Sequence, residues 1–130
     1  MRVSDEVSAV REAFPDGVFP AACPSRVVID HVTSKWGLLV LVSLVDGPQR
    51  WSELRRRAEG VSEKMLAQTL RTLEADGFVH REAFPVIPPK VEYGLTPLGE
   101  ELAAHLVPLM GWVARNAHAV VSGRAAAVRV

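Results

Sequence analysis

Lys64, Gln68 and Arg71 recur at intervals of four and three in the stretch SEKMLAQTLRTLEADG, residues 62–77. These side-chain types can hold phosphates and pair with base edges: Gln makes a bidentate pair with adenine and Arg with guanine, each good pair discriminating by ~1 to 3 kcal/mol. At about 100° per residue the three fall on one side of a helix, and Leu66, Leu70 and Leu73 fall on the other. Ser62 can accept from the free amides of the first turn, and Gly77 supplies the left-handed residue that releases the last. The competing reading is a surface helix with solvated charges, so the neighbouring elements must decide.

Two other groups of residues carry possible chemistry. Arg55, Arg56 and Arg57 are consecutive and spread around a short helix, so at least one faces solvent; they suit phosphates better than base edges. Cys23 precedes Pro24 at a helix N-terminus, where the dipole and Arg26 one turn away favour the thiolate, although a small packed apolar residue is the alternative. A thiol enzyme would need a resolving cysteine or an adjacent histidine, and neither accompanies Cys23, so no catalytic residue is assigned. His31, His80, His105 and His118 are scattered, and only Glu101 and His105 share a helical face, which is too little for a metal site. No cofactor motif is present.

The elements that must position these residues follow from periodicity and stop signals. Val3, Val7, Val10 and Phe14 predict a short helix over 4–14, ended by Pro15-Asp16-Gly17, with a linker to 22. Pro24 opens a helix over 25–33 expected to bury Val27, Val28 and Val32. Ser34 caps the next, with Trp36, Leu39, Val40 and Leu44 inward, and Asp46-Gly47-Pro48 stops it. Arg50 and Trp51 read as a link before Ser52 caps SELRRRA, and Glu59-Gly60-Val61 turns the chain into the helix at Ser62. Two short helices around a glycine turn, the second with a cationic face, form a helix-turn-helix pattern.

After Gly77 the period changes to two. Residues 78–84 and Lys90–Leu95 predict strands joined by the stiff loop Pro85-Val86-Ile87-Pro88-Pro89, which makes the wing of a winged helix. Thr96-Pro97 then starts a helix whose apolar face includes Leu98, Leu102, Leu106, Leu109, Trp112, Val113 and Val120. Pro108 predicts a break or kink there. So long an apolar face exceeds what a small winged helix can cover, and points to a second copy of the chain.

Composition bounds the rest. The 130 residues suffice for one domain with helical extensions. A net charge of zero excludes a general polycation, so nucleic-acid binding must come from uneven distribution: nine Lys or Arg against seven Asp or Glu between Lys35 and Lys90, but three against five in residues 1–34. The longest apolar run, Leu38 to Val42, is far short of the ~20 residues of a membrane span, and the N-terminus lacks a signal-peptide core. A soluble, cytoplasmic protein with no membrane partner is expected, and a single cysteine agrees with a reducing compartment.

The order of residues from Cys23 to about Trp112 resembles the HxlR-type family of winged-helix transcription regulators, distantly similar to the MarR type. The resemblance rests on Cys23-Pro24, Lys35-Trp36, Asp46-Gly47-Pro48, Glu53-Leu54-Arg55-Arg56, Lys64-Met65-Leu66, Leu70-Arg71, Asp76-Gly77, Pro88-Pro89, Val91-Glu92-Tyr93 and Leu98-Gly99. It implies a homodimer on a partly palindromic operator, with Ser62, Lys64, Gln68 and Arg71 at the DNA, Lys90 at the wing, and terminal helices pairing the subunits. It also implies, for some members, a cysteine at the place of Cys23 that senses quinones, aldehydes or oxidants; with no second cysteine, that would require alkylation, a mixed disulfide or a bridge to the other subunit. Thr69 and Thr72 stand where family members often carry Arg and Glu, which predicts a less charged reading face. Val86 and Ile87 are more apolar than a usual wing tip.

The expectation is therefore a mainly α fold with a small β-hairpin, a winged helix-turn-helix with N- and C-terminal dimerisation helices. Its parts are an extension over 1–22, a DNA-binding domain over 23–95, dimerisation helices over 96–122 bearing Leu102, Leu106, Leu109, Trp112 and Val113, and a tail over 123–130. The expected function is a homodimeric, sequence-specific transcription regulator, read as a repressor, with a small-molecule or electrophile effector as a possible further partner. A winged helix that binds another protein and never touches DNA is the alternative.

Overall fold

The computed structural model describes residues 3–129, with side chains to position 123. Six helices and one hairpin follow in the order α1 (Val3–Ala13), α2 (Pro24–Val32), α3 (Lys35–Ser43), a 3-10 turn (Leu44–Asp46), α4 (Trp51–Arg57), α5 (Glu63–Ala75), β1 (Val79–Phe84), β2 (Lys90–Leu95) and α6 (Pro97–Arg129). The expected mainly helical fold with a two-stranded wing is what forms. By internal contacts the chain divides into two compact units, Met1–Thr33 and Ser34–Val130.

In the first unit, two helices of 11 and 9 residues are too short to enclose a core, and neither contains a buried residue. Val27 and Val28, expected inside, stand exposed, and Val32 is only half-buried. The turn between the helices is held by the Phe14 and Phe19 rings, whose centroids lie 4.7 Å apart.

The second unit has the core. Val40, Leu41 and Leu44 from α3 and its turn meet Leu54 of α4, Leu66, Leu70 and Leu73 of α5, Phe78 and Val79 beside the wing, and Ala103 and Leu106 of α6. Trp36 and Leu39 are half-buried. Ser34 caps α3, its Oγ accepting from the Gly37 amide at 3.1 Å. The start of α4 differs from expectation: Trp51 opens the helix, and the Arg50 amide donates to Glu53 Oε1 at 3.1 Å, so Ser52 lies within the first turn and is not its cap. Thr96 Oγ1 accepts from the Gly99 amide at 3.0 Å and donates to the Gly77 carbonyl at 2.5 Å, tying the start of α6 to the end of α5.

Within α6 the chain continues through Pro108 as one helix to Arg129; of the break or kink expected at Pro108 the break does not form, and the helix runs on past 123, where a tail is the expectation. Only one amide donor is missing at a proline, and the ladder on either side is long enough to carry the helix past it.

Candidate nucleic-acid interface

The helix that presents the polar row is fixed at both ends. Ser62 Oγ accepts from the Met65 amide at 3.0 Å, and at the other end the Phe78 amide reaches the Leu73 carbonyl at 3.0 Å while Gly77 sits at φ +84°. Gly60, at φ +94°, makes the turn from α4. Leu66, Leu70 and Leu73 are buried and set the rotation of α5. Lys64, Gln68 and Arg71 consequently face outward, exposed and with no protein partner among the described residues. Met65 lies exposed beside them.

Thr69 is buried and Thr72 half-buried, so they belong to the inner side of α5, and their departure from the family pattern leaves the charge of the outer row unchanged.

The three arginines of α4 have different surroundings. Arg57 donates to the Ser43 carbonyl at 3.2 Å and pairs with Asp46 Oδ2 at 2.8 Å, which ties α4 to the end of α3. Arg55 pairs with Glu63 Oε1 at 3.3 Å across the turn, an exposed pair of the sort that contributes ~0 to 1 kcal/mol and can exchange for a phosphate. Arg56 is exposed with no partner among the described residues. Arg55 and Arg56 border a cleft with Trp51, Ser52, Gly60 and Ser62, at the entrance to α5.

The wing is antiparallel, with Val79 opposite Leu95, Arg81 opposite Tyr93 and Phe84 opposite Lys90. Its base is anchored by a third segment: Gln49 and Tyr93 exchange two backbone hydrogen bonds of 2.8 Å each. Lys90 is less available than expected. Its Nζ pairs with Glu92 Oε1 at 2.8 Å and lies 5.0 Å from the centroid of the Phe84 ring. Arg81, which sequence reasoning did not select, is exposed with no partner among the described residues. Strand alternation held the signal, since Lys90 and Glu92 must share a face and Arg81 lies on the other. At the tip, Ile87 is fully exposed.

Of the residues expected at a dimer contact, Leu106 is already buried within the protomer and Leu102 is half-buried. Leu106 belongs with the protomer's core, because it follows buried Ala103 by one turn on the side of α6 that meets α3. Leu109, Trp112 and Val113 are 49%, 54% and 40% exposed.

Cys23 is half-buried at the N-cap of α2, and the nearby Arg26 guanidinium donates to the Phe19 carbonyl at 3.0 Å. Among the described residues no three His, Cys, Asp or Glu side chains are grouped to hold a metal ion, and no single helix is long and apolar enough to cross a membrane.

Comparison with known proteins agrees with this geometry. The model of the HxlR-like helix-turn-helix matches residues 31–120. The HTH-type transcriptional regulator YtfH of Escherichia coli (strain K12) is 50% identical over 119 residues, covering 92% of this chain and 94% of that protein. Among solved structures, the transcriptional regulator YtfH from Salmonella typhimurium superposes with a TM-score of 0.77 at 53% identity, covering 83% of this chain and 96% of that one. The redox regulator HypR in its oxidized form gives a TM-score of 0.68 at 38% identity, covering 72% and 97%.

Proposed function

The chain belongs to the HxlR-like helix-turn-helix family of transcriptional regulators, and from that premise we propose that it works as a homodimeric repressor in the cytoplasm, gripping a partly palindromic operator. One observation carries the reading: the outer row of α5, Lys64, Gln68 and Arg71, is exposed and without a partner among the described residues, beside the caps and leucines that fix its direction. Such a helix fits the major groove, where Gln68 and Arg71 pair with base edges and Lys64 and Ser62 hold phosphate. Arg55 and Arg56 hold the backbone at the α4 side. At the wing, Arg81 meets the flanking backbone more readily than the neutralised Lys90.

Two chains pairing through the exposed Leu109, Trp112 and Val113 of α6 would have to present their α5 helices about one helical turn of DNA apart, ~34–36 Å, for both to reach twofold half-sites. Response to oxidants or electrophiles attaches to Cys23. The structural likeness to a redox regulator supports that reading, and a mixed disulfide, alkylation or a bridge between two copies is the chemistry open to a single thiol.

Selection of bound duplexes from a random pool tests the proposal. Recovery of a sequence with two related half-sites is the expected result. If nothing is recovered above background, the regulator reading fails and the protein-binding alternative, favoured by the fully exposed Ile87, takes its place. Repeating the binding with an electrophile, on the natural chain and on Cys23→Ser, tests the thiol: equal release from both removes Cys23 from the account.

A further inference from the structure

A cleft of about 660 Å³ lies away from the outer row of α5, between the base of the wing and α6. That volume is in the range of pockets that enclose small organic ligands, ~300–1,000 Å³. One wall is a single stripe of α6, Glu100, Ala103, Ala104, Val107 and Pro108, spaced as one helical face; small side chains at 103 and 104 leave the room. The other walls are Leu44 and Val45, Gly47 and Pro48, and the wing residues His80 and Leu95. The His80 imidazole lies against its cross-strand partner Gly94: a Cβ there would be 2.7 Å from His80 Nε2, so the glycine makes the place the imidazole occupies.

The polar side chains of this apolar cleft are Glu100 and His80. Glu100 presents a carboxylate with no partner among the described residues. Pro108 has no amide hydrogen, so the Ala104 carbonyl lacks the i+4 donor that a helix ordinarily supplies, and both residues line the cleft. Among the described residues no Lys or Arg lines the space. An anionic ligand would face the Glu100 carboxylate, whereas a protonated amine on an apolar body would meet that carboxylate as counter-charge, with Leu44, Val45, Leu95 and Val107 to cover the body.

We propose that this cleft is an effector site for lipophilic ammonium compounds. Its walls explain how occupancy would reach DNA. His80 and Leu95 belong to the wing, and Pro48 precedes Gln49, whose backbone bonds anchor the wing at Tyr93. A ligand wedged between these segments and α6 biases the position of the wing, so the effector role rests on the DNA-binding reading while the binding site does not.

The test uses the full chain with 1-naphthylmethylamine as probe and 1-naphthylmethanol and 1-naphthylacetate as neutral and anionic isosteres. Calorimetry without DNA should show saturable binding of the amine, with both isosteres weaker by about tenfold or more. Glu100→Gln, at an exposed position that leaves the core intact, should weaken the amine by a similar factor and leave the alcohol unchanged; Ala104→Trp should abolish binding of all three. Equal binding of the three probes, or an amine affinity unchanged in both variants, would overturn the site. Binding of the amine with no change in affinity for a selected duplex would overturn the effector role. If no duplex binds at all, the DNA reading has failed, and calorimetry still judges the cleft.

Discussion

Gly99 brings the first turn of α6 against the backbone of Phe78 so closely that a Cβ at position 99 would lie 2.0 Å from the Phe78 carbonyl oxygen. The same carbonyl accepts from the Thr96 amide at 3.0 Å, so the contact closes the joint between α5, the wing and α6. Backbone on both sides cannot give way as a flexible side chain would. Gly99→Ala is therefore expected to destabilise by about 1 to 3 kcal/mol, the usual range for overpacking, read from the denaturant midpoint at constant slope. Unchanged stability would show that α6 can move off Phe78 at no cost.

The Ser43 carbonyl accepts from two side chains, the Gln49 amide and the Arg57 guanidinium, while Gln49 Oε1 is buried without a partner. Either donor alone can satisfy Ser43. The double variant Gln49→Ala/Arg57→Ala should lose about 1 kcal/mol more stability than the sum of the two single variants, because only then does the carbonyl lose both of its side-chain donors. Additive losses in the cycle would contradict that shared role.

At the wing, Lys90 is neutralised by Glu92, and Arg81 has no partner among the described residues. Arg81→Ala should weaken duplex binding more than Lys90→Ala, and Glu92→Gln should strengthen it by releasing Lys90. Measured at one low salt concentration, the reverse order would place the DNA on the Lys90 face of the hairpin.

Trp112, more than half exposed on α6, is the large aromatic of the proposed pairing surface. Trp112→Ala should raise the dimer dissociation constant by roughly tenfold or more, measured by sedimentation equilibrium. A sedimentation profile identical to that of the natural chain would remove Trp112 from the contact.

Much of this architecture can be read in advance where one local rule acts alone. Ser62, Gly77, Thr96 and Pro97 mark helix ends through their own backbone chemistry, and the leucine seam of α5 fixes which side chains face out. Reading fails where the answer depends on residues distant in sequence. Resemblance alone puts position 69 on the reading face, yet the turn of α5 places Thr69 among the buried residues. Leu106 follows the same apolar period as Leu109, but only the former is buried within the protomer, so periodicity could not divide core from surface. Lys90 carries the expected charge and loses it to a neighbour two residues on. The cleft beside α6 draws its walls from segments around residues 45, 80, 95 and 104, a juxtaposition that periodicity within any one segment does not reveal.

The central claim is that the outer row of α5 touches DNA, and its most direct test is the salt dependence of affinity for a selected duplex, natural chain against Lys64→Ala/Arg71→Ala. Each phosphate contact contributes a slope of about 0.9 in the logarithm of affinity against the logarithm of salt. A dimer losing one such contact per protomer should show a slope smaller by about 2, with much weaker binding at every salt concentration. A double variant that stays folded and dimeric, yet keeps both the affinity and the slope of the natural chain, would contradict the account.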